Sequence, residues 1–170
     1  RILGLETITV RRLPTDKEWI MDRESWEEVL SQVDLITICP QLNPVGWTYT
    51  DDDRKWLIDA CQRHDVRIIS DEVYSGADRN WKPFFKEGDN CISISSLTKV
   101  HGLGQIRYGW MIASTDIIAN AENTFHNMAG VMSTPVIMVA NRVKPRLHEP
   151  IDLIDHYREK NLPVLQECLN

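Results

Sequence analysis

The sequence predicts an α/β protein, a mostly parallel sheet flanked by helices, and three observations carry that expectation. Short strand-like runs rich in apolar residues at 35–39, 66–70 and 91–95 have the length of strands. Between the first two lies a capped segment with apolar residues at helical spacing, the order of a βαβ unit. The chain's 170 residues, 42% hydrophobic and 26% charged, suit one globular domain with a sizeable core.

The elements follow in order. Residues 8–13 form a β-prone run, Ile8-Thr9-Val10-Arg11-Arg12-Leu13, and a strand is expected there. Asp22 or Ser25 can cap a helix that carries Trp26, Val29, Leu30 and Val33 on one side. The strand at 35–39 is followed by Thr50-Asp51-Asp52-Asp53. There Thr50 can cap, Asp53 stands at the capping-box position, and three carboxylates favour the positive helix end. The helix dipole, and not a metal, accounts for that acidic cluster. Trp56, Leu57, Ala60 and Cys61 make the helix's apolar stripe, and the strand at 66–70 completes a crossover expected to be right-handed.

Two more strands are expected at 91–95 and 108–113, then helices at 115–127 and 134–147, the second with Pro135 in its first turn. Ile151, Ile154, Tyr157, Leu162, Leu165, Cys168 and Leu169 recur at the spacing of one helix face, with Pro150 in the first turn and Pro163 positioned to kink it. No glycine closes that helix, and no methionine opens the chain. The expectation is an excised piece of a larger protein. No internal repeat or low-complexity segment is visible.

A net charge of −6 argues against a general nucleic-acid-binding surface. No apolar run reaches the ~18 residues of a membrane span, and no signal-peptide core is visible near Arg1. Cys39, Cys61, Cys91 and Cys168 lie too far apart in sequence for a zinc knuckle, so reduced core cysteines of a cytoplasmic protein are expected and no metal site.

Ligands of open α/β sheets sit beyond the carboxyl ends of the strands. Here those ends carry Asn43-Pro44-Val45-Gly46, Asp71-Glu72-Val73-Tyr74 and Ser95-Ser96-Leu97-Thr98-Lys99, with Arg107 eight residues further on. A lysine among hydroxyls and an arginine suggests a covalent Schiff base to a phosphorylated aldehyde, because a neutral lysine is a nucleophile. Arg107 can grip a phosphate bidentately, with Ser96 and Thr98 as further donors. An aspartate facing a pyridine nitrogen keeps that ring an electron sink, and Asn43 and Tyr74 can donate to a phenolate oxygen. These are the needs of pyridoxal 5′-phosphate (PLP), met without a metal.

On those motifs, together with Gly102-Leu103-Gly104-Gln105-Ile106-Arg107-Tyr108-Gly109-Trp110, the chain resembles the aspartate-aminotransferase superfamily, the fold-type I PLP enzymes of class I/II. The resemblance runs from about Ile8 into the final helix. It implies residues 1–149 as a partial PLP-binding large domain and 150–170 as the truncated start of the long helix that leads to a small domain. It implies Lys99, Asp71 and Tyr74 as catalytic residues, with Lys99 forming the Schiff base and moving the 1,3-proton. Asn43, Asp71, Tyr74, Ser96, Thr98, Lys99 and Arg107 would bind the cofactor: Asp71 at the pyridinium nitrogen, Asn43 and Tyr74 at the ring O3′, and Ser96, Arg107 and more weakly Thr98 at the phosphate. Val45 replaces the family's usual threonine, at a position not expected to touch the cofactor.

The resemblance also implies amino acid and 2-oxo acid substrates, a homodimer that completes the site, and a fragment inactive alone, since an upstream phosphate-binding turn, a ring-stacking aromatic and a substrate-binding arginine are not in the chain. A carbon–sulfur lyase is the nearest alternative, because the same residues support β-elimination. An aminotransferase-like sensor domain that controls DNA binding is the second, and a degenerate cofactor-free domain the third. Blander roles compete at single residues. Asp71 and Lys99 alone would suggest a plain ion pair, Glu72 a structural loop residue, and His101 a packing histidine. Gly102-x-Gly104 fits a tight loop better than a dinucleotide site. The six tryptophans suit core or rim packing, with Trp47 a possible border of the substrate pocket.

Overall fold

The computed structural model describes residues 4–16 and 18–169. A hairpin of β1 (Arg12–Pro14) and β2 (Trp19–Met21) leads into α1 (Arg23–Leu30), whose N-cap is Asp22; its carboxylate accepts from the Ser25 amide. Strand β3 (Leu35–Ile38) follows, then a small hairpin of β4 (Gln41–Leu42) and β5 (Trp47–Thr48) that the sequence did not announce. Helix α2 (Asp51–Arg63) starts as expected: Thr50 Oγ1 accepts from the Asp53 amide at 3.1 Å and donates to the Asp53 carboxylate at 2.9 Å. Arg23 pairs with Asp52 and Asp53, so the acidic turn is used twice.

Strands β6 (Arg67–Asp71), β7 (Cys91–Ser96) and β8 (Gly109–Ile112) complete the main sheet, in the order β3-β6-β7-β8. The first three are parallel and β8 runs antiparallel, which makes the sheet mixed at that edge. Helices α3 (Thr115–Met128), α4 (Thr134–Val143) and α5 (His148–Leu169) close the chain. The core lies between the sheet, α1 and α2, where Leu30, Leu57, Cys61, Val66, Ile68, Phe84 and Cys91 are essentially inaccessible.

Three expectations need correction. The strand at 8–13 shrinks to β1: residues 8–11 form no ladder among the described residues, because β-propensity makes a strand only where a neighbour completes its hydrogen bonds. The helix expected over 134–147 stops at Val143 and continues as a 3-10 turn, Lys144–Arg146, since Pro145 has no amide to donate back along the helix. The last helix begins at His148 with Pro150 in its first turn, as expected, and keeps Pro163 inside it. On its expected apolar face Ile151 and Ile154 are half-buried, whereas Tyr157, Leu162, Leu165, Cys168 and Leu169 are exposed. Cys168 is therefore no core residue. Cys61 and Cys91 are, and burial pushes both thiols up to about 12, which makes them inert.

Candidate active site

The strand ends place the expected residues on one rim. The β4–β5 hairpin projects Asn43 just past β3, with the Asn43–Pro44 peptide cis and Gly46 at φ +68° closing the turn onto the Leu42 carbonyl. Asp71 is the last residue of β6, and its Oδ1 accepts from the Val73 amide at 3.2 Å. Tyr74 stands three residues on, before the 3-10 turn Ser75–Ala77. Asn43 Nδ2 donates to Tyr74 Oη at 3.2 Å, and Lys99 Nζ lies 5.8 Å from the centre of the Tyr74 ring.

Lys99 and Arg107 share one loop. The Leu97 amide donates to the Tyr108 carbonyl at 3.0 Å and the Leu103 amide to the Leu97 carbonyl at 2.9 Å, so the loop is pinched shut at its base. Gly102, at φ +67°, turns the chain after Lys99, as the glycine pair suggested. Ser96 Oγ accepts from the Thr98 amide at 3.3 Å, which keeps both hydroxyl residues beside the lysine. Arg107 sits at φ +56°, a left-handed conformation that costs a non-glycine residue about 1 kcal/mol and is held by its surroundings. Immediately after it, Gly109 runs so close to β7 that a Cβ there would meet the Ser95 carbonyl oxygen at 3.0 Å.

Among the described residues, neither Lys99 nor Arg107 pairs with a carboxylate, and the plain Asp71–Lys99 ion pair is not formed. Two cations are thus left facing solvent beside hydroxyl and amide donors, a set that suits an anionic ligand. The structure brings Asn43, Tyr74 and Lys99 together, and it sets Ser96 and Thr98 in the Lys99 loop. No hydrogen bond joins Arg107 to Ser96 or Thr98 among the described residues.

Two assignments beside the site are now explicit. Glu72 is structural, as expected: its buried carboxylate accepts from Ser93 Oγ at 2.7 Å, the Phe84 amide at 2.9 Å and Trp81 Nε1 at 3.2 Å. His101 is half-buried against Gly76, and burial lowers its pKa, partly opposed by the Leu147 backbone. Cys39 was not singled out as a site residue. It lies half-buried at the end of β3, its thiol pushed up by burial and then by the charge of Asp71. Nothing in the pattern of the sequence marked it.

The α/β sheet thus carries Asn43, Asp71, Tyr74 and Lys99 at or just past neighbouring strand ends, with Arg107 in the Lys99 loop. The model of the family described as aminotransferase class I and II matches residues 1–144, and the chain belongs to that family. It is 24% identical over 172 aligned positions to histidinol-phosphate aminotransferase 2 of Oceanobacillus iheyensis, covering 96% of this chain and 44% of that protein. It is 27% identical over 142 to mouse kynurenine–oxoglutarate transaminase 3, covering 76% and 31%. Similar folds include N-succinyldiaminopimelate aminotransferase of Mycobacterium tuberculosis, with a TM-score of 0.79 at 18% identity over 98% of this chain and 46% of that one. A PLP-bound C-S lyase of Staphylococcus hominis superposes with a TM-score of 0.78 at 18% identity, over 93% and 42%. The chain spans less than half the length of these relatives.

Proposed function

We propose that this chain is the cofactor-binding part of a PLP-dependent aminotransferase that moves an amino group between an amino acid and a 2-oxo acid. The observation that carries the proposal is the meeting, at adjacent strand ends, of Asn43, Tyr74 and a Lys99 that pairs with no carboxylate among the described residues. The donor set fits the cofactor. Arg107, Ser96 and Thr98 would hold the phosphate, Asp71 the pyridine N–H, and Asn43 and Tyr74 the ring O3′. When bound, PLP supplies a protonated pyridine ring as an electron sink. Lys99 is the amine that would condense with the cofactor's carbonyl and then carry the proton between the substrate Cα and C4′. Residues 1–149 form the partial cofactor domain in this proposal, and 150–170 the start of the long helix. A homodimer and a cytoplasmic setting go with it. Among the described residues no helix is long and apolar enough to cross a membrane.

The C-S lyase fold match favours a second reading, elimination of a thiol from the same site. Both chemistries use the same cofactor residues. The test common to both is to incubate the chain with PLP, reduce with borohydride and map the labelled peptides by mass. Label confined to the Lys99 peptide, and lost in Lys99→Ala, is expected. Label fixed at another lysine would overturn the assignment.

A further inference from the structure

The loop that carries Tyr74 does not end at the sheet. It runs through the Ser75–Ala77 turn to Arg79, and Arg79 reaches α5. Arg79 Nε donates to Asp155 Oδ2 at 2.6 Å, and its Nη2 pairs with Asp152. Asp152 and Asp155 lie about one helical turn apart, so one guanidinium fork spans both. Arg158 holds the other oxygen of Asp155 at 2.7 Å. A lone exposed ion pair contributes little. This one is a network of four charged groups, and it joins positions 73 and 76 residues apart, so it fixes long-range geometry.

The segment between Tyr74 and Arg79 is stiff enough to transmit position. The Ser75 amide donates to the Glu72 carbonyl at 3.1 Å, Ala77 to Tyr74 at 3.2 Å and Asp78 to Ser75 at 3.1 Å. The Lys99 loop touches the same turn. A Cβ on Gly76 would lie 3.8 Å from Val100 Cγ1 and 4.0 Å from His101 Nε2. His101 in turn lies against the backbone of Leu147, the residue before α5.

We propose that Arg79 is a positioning residue: its fork on Asp152 and Asp155 lets the first two turns of α5 set where Tyr74 stands relative to Asn43 and Lys99. Its meaning for the cofactor rests on the function proposed above, whereas the coupling itself does not. Displacement of the start of α5 then moves the Tyr74 loop, and the partners of Tyr74 change with it.

Hydrogen exchange by mass spectrometry on the whole chain tests this without any cofactor. Arg79→Gln is expected to speed exchange about two- to fivefold in residues 74–79 and 148–156, leaving β6 and β7 unchanged. Arg79→Lys keeps a positive charge between Asp152 and Asp155 and is expected to retain most of the protection, a rescue by the conservative variant that a general loss of stability does not give. A uniform rise across the sheet, no change at 74–79, or a loss in Arg79→Lys equal to that in Arg79→Gln would each overturn the proposal. Borohydride labelling of Lys99 in the same samples keeps the two ideas apart. The exchange pattern with label elsewhere than Lys99 sinks the cofactor assignment alone, and label at Lys99 without the pattern sinks the coupling alone.

Discussion

The side-chain amide of Asn43 donates to the hydroxyl of Tyr74 across 3.2 Å, tying the β4–β5 turn to the loop after β6. Because the phenol oxygen accepts from Asn43, its own proton stays free to donate elsewhere, and Asn43 keeps a second amide hydrogen. The pair therefore keeps two donor hydrogens, the number that the proposed contact with a phenolate oxygen on the cofactor ring would use.

Each half of that unit is expected to contribute to PLP affinity in a coupled way. Asn43→Ala and Tyr74→Phe should each weaken binding about three- to tenfold, the worth of one hydrogen bond. The double variant should lose less than the product of the two, since either change strips the other residue of its partner. Absorbance titration of PLP against the four proteins checks this, and strictly multiplicative losses would mean the two side chains act independently.

Glu72 carries a stability prediction. Its carboxylate takes donors from Trp81, Phe84 and Ser93, while its own amide donates to the Ile94 carbonyl at 2.8 Å. Glu72→Ala leaves those buried donors without an acceptor and should destabilise the chain by about 3 kcal/mol or more. Glu72→Gln keeps one acceptor oxygen and should lose less. Urea melts compare them, and a loss below about 1 kcal/mol for the alanine variant would mean water replaces the carboxylate.

Much of this was legible where the signal is local. Thr50 and Asp53 announce the start of α2 because a capping box is complete within four residues. Strands β6 and β7 were visible because short isoleucine-bearing runs bounded by polar loop residues read as strands. The site's residues were legible through motif order, yet the Asn43–Tyr74 bond was not, since it needs the β4–β5 hairpin, whose two-residue strands carry no period. The fork from Arg79 to Asp152 and Asp155 was invisible for the same physical reason: pairing across such a separation is decided by how helices dock on the sheet. At residues 8–11 the error ran the other way, local propensity promising a strand that no neighbour completes among the described residues.

His101 predicts a pH effect. Burial lowers its folded pKa below the ordinary histidine value of 6.5. The unfolded chain therefore binds the proton more readily, and stability is full above about 6.5 and falls as pH drops from there through the folded pKa. His101→Gln should flatten that limb of the stability curve relative to the wild type, whatever the other histidines do. Denaturant melts between about pH 8 and pH 5 measure the difference, and two curves that stay parallel would rule out this source.

Gly104, in the Lys99 loop, and Gly109, the first residue of β8, make a matched pair. At Gly109 a methyl group would meet the Ser95 carbonyl oxygen at 3.0 Å, and that oxygen belongs to β7, which has β6 on one side and β8 on the other. Backbone held from both sides cannot yield cheaply, so Gly109→Ala should destabilise the chain by about 1–3 kcal/mol. The strain also falls two residues from Arg107, whose left-handed backbone leaves little room to absorb it. At Gly104 the same methyl would find Thr98 Cγ2 at 3.7 Å and the Thr98 carbonyl at 3.8 Å, ordinary contact distances. Gly104→Ala should therefore be neutral, or stabilising by up to about 1 kcal/mol through the unfolded chain's lost freedom. Parallel urea melts decide it. Equal losses at the two sites would mean that the whole segment from Gly104 into β8 rejects side chains, and that the close approach of Gly109 to Ser95 is not what the sequence needs there.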